Sequence, residues 1–198
     1  MSSEPRPYRQ TLRAESSAQT EQAIIQAAND LFAVSWFDEV TLDAVASAAG
    51  VTVKTVMRKF GNKENLARVC FVELATANSE WRDLVPAGDL KGAIAAIVDM
   101  YEGIGDTLVR YLSLEERIPF LAEMLPMGRT LHMKWLQRVF APLMPPAPNP
   151  QVLDLLVVAT DVLTWKLLRR DRGLPIHKTI HAMRFMTHAA LQPKGPDL

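Results

Sequence analysis

The chain has a single cysteine among its 198 residues, which excludes an intramolecular disulfide framework and fits a reducing compartment. It has no continuously apolar run of about eighteen residues and no N-terminal hydrophobic leader, so no membrane partner is expected and the location expected is cytoplasmic. It has no charge surplus: 22 basic and 22 acidic residues cancel, which excludes a protein that coats nucleic acid by bulk electrostatics and confines any such contact to local patches. A glycine-rich phosphate loop, a GxSxG elbow, an HExxH pair and paired cysteines are all missing. Those absences remove the common enzyme chemistries, and the expectation is no catalytic residue, no cofactor and no metal. His177, His181 and His188 share one helical face at spacings of four and seven, but no carboxylate accompanies them there, so they read as a polar face. Lone Cys70, with no histidine near it in sequence, reads as a small core residue.

What is present is apolar residues, 48% of the chain, arranged throughout at helical spacing. The fold class expected is all-α. Between Thr41 and Leu66, Leu42, Val45, Ala46 and Ala49 give one helix an apolar face, Gly50 breaks it, and Thr52 caps a second helix. In that second helix Val56 and Phe60 point inward and Lys54, Thr55, Arg58 and Lys59 outward. From Lys54 to Lys63 there are four basic residues and no acidic one. This is a helix-turn-helix pattern, whose second helix lies in the DNA major groove. The expected DNA-contacting residues are Thr41, Thr52, Val53, Lys54, Thr55, Met57, Arg58, Lys59 and Lys63. Thr52, Lys54 and Thr55 are expected near base edges, Val53 on a thymine methyl, and Arg58, Lys59 and Lys63 on phosphates.

The run Thr41, Ala46, Ala49-Gly50-Val51-Thr52, Thr55-Val56, Phe60-Gly61, Lys63-Glu64 and Leu66 resembles the DNA-binding domain of TetR/AcrR (tetracycline-repressor-like) transcriptional regulators. The resemblance covers roughly residues 20 to 66. Two positions depart from it: Met57 stands where that family often has a phosphate-contacting Tyr, and Lys59 where a His is frequent. The resemblance implies an operator of double-stranded DNA, a homodimer formed through the last two long helices, and a C-terminal domain that takes a small effector.

In chain order, residues 1–19 are polar and without apolar periodicity, and read as a mobile arm whose Arg6, Arg9 and Arg13 can reach a minor groove. The DNA-binding domain is expected over 20–66. It opens on a helix capped by Thr20 with Ile24, Ala28, Leu31 and Phe32 inward, and Trp36 and Phe37 plug its core. A C-terminal ligand-binding and dimerisation domain follows over 67–192. A long helix from Asn62 to about Trp81 joins the two, and after the break at Pro86-Ala87-Gly88, Asp89 caps a helix reaching Leu112. Gly103 and Gly105 inside it suggest close helix contact or room for a ligand. Ser113 and Glu116 have capping-box spacing for a short helix limited by Pro119, and another helix runs from after Pro126 to Pro142. Five prolines between Pro142 and Pro150 read as an extended connector.

The run from Gln151 to Arg170 is apolar over more of its circumference than a surface helix needs, so it is expected to face the core on one side and a partner subunit on the other. Leu155, Ala159 and Leu163, with Ile180 and Met183 of the last helix, are the expected dimer contacts, and Asp161 is expected to pair with a basic residue across them. Methionines and aromatics concentrated from Met100 onward suit an apolar or aromatic effector, with Tyr101, Ile104, Phe120, Met124 and Trp135 as candidate ligand residues. Two other readings remain at this point: a helical small-molecule-binding protein or enzyme whose N-terminal helices only pack, and a DNA-binding dimer with no effector.

Overall fold

The computed structural model describes residues 7–77, 79–144 and 150–192, and among these there is no strand. The chain divides into two compact units, Met1–Glu73 and Leu74–Leu198.

The first unit holds α1 (Pro7–Val34), α2 (Leu42–Ala48), α3 (Val53–Phe60) and most of α4 (Lys63–Ala77). Ile24, Ala28 and Phe32 of α1, Val45 of α2, Val56 and Phe60 of α3, and Leu66 and Cys70 of α4 are all buried in it. α1 is longer than its periodicity suggests. Tyr8 to Val34 contains neither Pro nor Gly, and extending a helix that packing has already nucleated costs little per residue, so residues expected as a loose arm are helical from Pro7. Thr20 is therefore no cap; its hydroxyl donates back to the Ser16 carbonyl, 2.8 Å away. Arg6 lies outside the described residues, as do the side chains of Arg9 and Arg13. Phe37 plugs the core as expected and stacks on Phe32, but Trp36 is 42% exposed.

The second unit contains α5 (Ser79–Leu84), α6 (Leu90–Leu114), α7 (Pro119–Phe140), α8 (Pro150–Thr160), α9 (Val162–Lys166, continued by a wider π turn, Leu167–Asp171) and α10 (Ile176–Ala190). α10 packs on α8 and α6, α9 on α6, and α7 on α6 and α8. The expected helix from Asn62 to Trp81 is α4 and α5, with Asn78 outside the described residues. Asp89 caps α6, accepting from the Gly92 amide at 2.9 Å. Gly105 serves close contact: a Cβ there would lie 2.5 Å from the Trp165 ring, whereas Gly103 is exposed with nothing near it.

Three expectations are corrected here. Pro119 begins a helix instead of limiting one, because its missing N–H costs nothing at a first position, and the Ser113 hydroxyl bonds back to the Arg110 carbonyl. Pro126 lies inside α7, which buried Phe120 and Leu121 before it and Trp135, Leu136, Val139 and Phe140 after it hold as one helix. The continuous helix expected over 151–170 is broken at Asp161, whose backbone is extended (φ −70, ψ 149) and whose carboxylate accepts from the Leu163 amide at 2.7 Å. Within its own chain Asp161 thus serves as a helix cap, with the Arg129 charge felt at a distance. Of the proline-rich connector, Ala141–Leu143 form a 3₁₀ turn, and 145–149 lie outside the described residues.

Candidate nucleic-acid interface and inner polar cluster

Threonines set the two helices of the turn. The Thr41 hydroxyl accepts from the Ala44 amide at 3.1 Å and starts α2; the Thr52 hydroxyl accepts from the Thr55 amide at 3.2 Å and starts α3. Between them Gly50, at φ +66, lets its own amide reach Ser47 O and the Val51 amide reach Ala46 O, the double closure that a left-handed residue after a helix allows. Val56 and Phe60 hold α3 to the core. Its outer side presents Thr52, Lys54, Met57 (53% exposed) and Arg58, with Val53 and Thr55 half-buried beside them and exposed Thr41 at the start of α2.

Two expected phosphate contacts have other work. The Lys59 side chain is only 11% exposed, and its ammonium donates to Ser17 O, Ser17 Oγ and Glu21 Oε2 at 2.9, 3.0 and 3.1 Å, which ties α3 to α1. The Lys63 ammonium donates to the carbonyls of Phe37, Asp38 and Val40 at 2.8, 3.3 and 2.8 Å and lies 4.5 Å from the Phe37 ring centre. All three donors of each ammonium are engaged within the fold, so neither is set to reach a phosphate. Spacing placed both on the basic side of the motif; only the approach of α1 and of the 37–40 connection, which are distant in sequence, decides their direction. Replacing Lys63 with Met removes the cation that gathers three carbonyls and is expected to cost about 2 kcal/mol in chemical denaturation. Replacing Lys59 with Ala should leave the salt dependence of DNA binding unchanged.

Residues 24–70 match the family model for bacterial regulatory proteins of the tetR family. That match covers the helix-turn-helix region and shows a tetR-family N-terminal domain there. No curated protein matches it by sequence. Among solved structures it resembles a transcriptional regulator from Rhodococcus sp. Rha1 at 19% identity and TM-score 0.70, with 86% of this chain and 95% of that one covered. It also resembles NalD, the secondary repressor of the MexAB-OprM multidrug efflux pump in Pseudomonas aeruginosa, at 20% identity and TM-score 0.59, with 87% and 95% covered. The C-terminal unit lies beyond the residues the family model matches, so its features rest on its own geometry.

In the C-terminal unit, the break at Asp161 brings Thr160 into a cluster with α6 and α7. Tyr101 Oη donates to the Thr160 carbonyl at 3.0 Å, and His132 Nε2 lies 2.9 Å from Thr160 Oγ1. Thr160 Oγ1 is also 2.7 Å from Leu156 O, to which only a hydroxyl can donate, so His132 is the donor to Thr160 and carries its proton on Nε2. Burial, with the nearby Arg82 guanidinium second, pushes His132 down to about 4. Burial also raises Tyr101, and Asp161 adds to that. His132 stacks against Trp135, which in turn meets Trp81 edge-on with ring centres 5.4 Å apart. Both indole Nε1 atoms, of Trp81 and Trp135, are buried and have no acceptor among the described residues. An unmet buried donor costs about 1–3 kcal/mol. Of the five ligand candidates, Tyr101 and Trp135 fall in this core cluster; Phe120 and Met124 are buried outside it, and Ile104 is half-buried outside it. Sequence reading missed Trp81, Arg82, His132 and Thr160, since nothing in their spacing announces a shared cluster.

The expected subunit contacts separate by exposure. Leu155 and Leu163 are 53% and 52% exposed, but Ala159 and Met183 are buried in their own chain and cannot meet a partner without unpacking it; Ile180 is half-buried. Val158, Leu167, Ile176 and Phe185, the last 71% exposed, join the outward apolar face of α8 to α10. His177, His181 and His188 are exposed, and among the described residues no three His, Cys, Asp or Glu side chains converge to hold a metal. Cys70, buried at the Ile25 carbonyl, has its thiol pushed up to about 12 by burial. Among the described residues no helix is long and apolar enough to cross a membrane.

Proposed function

We propose that the protein is a homodimeric repressor that binds a pseudo-palindromic operator in double-stranded DNA, in the cytoplasm, and is released by a small apolar or aromatic effector. The observation that carries this reading is the outward side of α3, where Thr52, Lys54, Met57 and Arg58 stand exposed. Residues 20–66 form the reading domain and 67–192 the effector and dimer domain. No chemical step is involved. Repression, as the sign of regulation, follows the analogy with the efflux-pump repressor. The outward apolar face of α8, α9 and α10 supports the dimer, because large apolar residues grouped on one face mark an interaction surface.

Selection of bound sequences from a random duplex pool tests the proposal. The expected product is an inverted repeat with half-sites about one helical turn, roughly 34 Å, apart; a single asymmetric motif, or no enrichment, would overturn it. On that operator, Arg58→Ala should weaken all sequences alike and reduce the salt slope by about one, while Lys54→Ala should relax preference at one base position. The effector has a separate test. A ligand that favours the DNA-incompetent form by about 1–3 kcal/mol lowers operator affinity about 5- to 150-fold, and saturating operator must weaken the ligand by the same factor.

A further inference from the structure

We infer that the effector carries an oxygen acceptor, specifically a carboxylate on an apolar or aromatic body, received by the indole N–H groups of Trp81 and Trp135. The inference rests on the effector reading above and deepens it. An indole nitrogen donates and cannot accept, so the two buried, acceptorless Nε1 atoms ask for the same partner chemistry. Their rings meet edge-on with centres 5.4 Å apart, so the two indoles belong to one place in the core. The other polar groups of the cluster are already matched: Tyr101 Oη donates to the Thr160 carbonyl and His132 Nε2 to the Thr160 hydroxyl. What is left over is donor capacity alone.

The charges nearby set the sign. The Arg82 guanidinium lies 5.0 Å from the Trp81 ring centre, and its positive potential is felt at His132 and Tyr101. His132 is neutral; of the acidic groups felt here, Asp161 acts on Tyr101 and uses its carboxylate to cap α9, and Asp83 acts on Arg82, where burial outweighs it. An ammonium would find no acceptor at the indoles and a cation close by; a carboxylate finds two donors and a favourable potential, and hydrogen bonds to an ionised acceptor are about twice as strong as neutral ones. The apolar core in which the indoles sit, with Trp135, Leu136, Val139 and Phe140 of α7 among its members, suits the remainder of such a molecule.

The four tryptophans, Trp36, Trp81, Trp135 and Trp165, supply the readout, because each gives one indole ¹H–¹⁵N signal. The Trp165 Nε1 already donates to Glu102 at 2.8 Å, so its signal is an internal control. The full-length protein is titrated with 1-naphthoate, benzoate and octanoate, and with 1-methylnaphthalene and 1-naphthylmethylamine as uncharged and cationic counterparts. Carboxylates should shift the Trp81 and Trp135 signals and leave Trp165 in place, the hydrocarbon should bind about tenfold more weakly, and the amine should not bind. Trp81→Phe should weaken the carboxylate about tenfold without changing the hydrocarbon. Trp135→Phe repeats this where far-UV circular dichroism shows it folded, and Trp81→Phe alone suffices otherwise. Hydrocarbon and carboxylate binding equally, or carboxylate binding with both indole signals unmoved, overturns the ligand class and leaves the effector reading standing. Silence from every compound overturns the effector reading along with it.

Discussion

Replacing Leu163 with Glu should give a folded monomer whose operator affinity falls about 10²- to 10⁴-fold, the gain that linking two binding modules normally provides. Leu163 stands at the second position of α9, 52% exposed, one of the large apolar residues of α8 to α10 that are turned outward, with Leu155, Val158, Leu167 and Phe185. Because its side chain is outside the core, the substitution leaves the protomer's packing alone. Between subunits the same carboxylate would be buried without a partner, which is what an apolar interface tolerates least. Sedimentation should show the monomer, and fluorescence anisotropy on operator DNA the loss, with the circular dichroism spectrum unchanged. The contrast is Met183→Glu, at a fully buried position, which should unfold the second unit. Wild-type protein that sediments as a monomer at micromolar concentration would remove the basis for the dimer.

The comparison between Leu163 and Met183 shows where sequence stops being informative. Both sit on apolar faces of helices that are apolar over much of their circumference, and periodicity alone gives each an equal claim on core and interface. Only the packing of α10 on α6 and α8 settles that Met183 belongs inside. The helix-turn-helix was legible because its signals are local: Thr41, Gly50 and Thr52 act through bonds to residues three to five positions away. The bonds of Lys59 and Lys63 within the fold were not legible for the opposite reason, since their partners lie as far as 42 and 26 residues back along the chain.

Proline and aspartate misled in a consistent way. Pro126 looks like a boundary, yet one missing backbone bond is a small loss against the apolar residues buried on both sides of it in α7. Asp161 looks like a charge in need of a distant partner, yet a carboxylate can meet its needs at the next helix start. That local solution has a distant result. By ending α8 at Thr160 it exposes the carbonyl that Tyr101 reaches from α6 and the hydroxyl that His132 reaches from α7.

His132 should make the protein lose stability as pH falls from about 6.5 to about 4. Unfolded, the imidazole has its ordinary value near 6.5; folded, burial and Arg82 hold it down to about 4. Between those values the unfolded chain binds a proton that the folded chain does not, so acid favours unfolding, and stability returns as pH rises through the window. A separation of this size corresponds to ~3 kcal/mol, complete below the folded value and absent above about pH 7. Carboxylates such as Glu115, held below their usual range chiefly by the hydrogen bond from Arg129, also lose stability in acid. They are present in both proteins when wild type is compared with His132→Asn, so their effect cancels in the difference. Urea denaturation at intervals from pH 4 to pH 7 should show wild type losing more than the variant on the acid side, the gap closing above pH 7 to the cost of the altered Thr160 contact. Parallel curves would mean that His132 ionises alike in both states, and the buried neutral imidazole, with the donor role assigned to it at Thr160, would have to be abandoned.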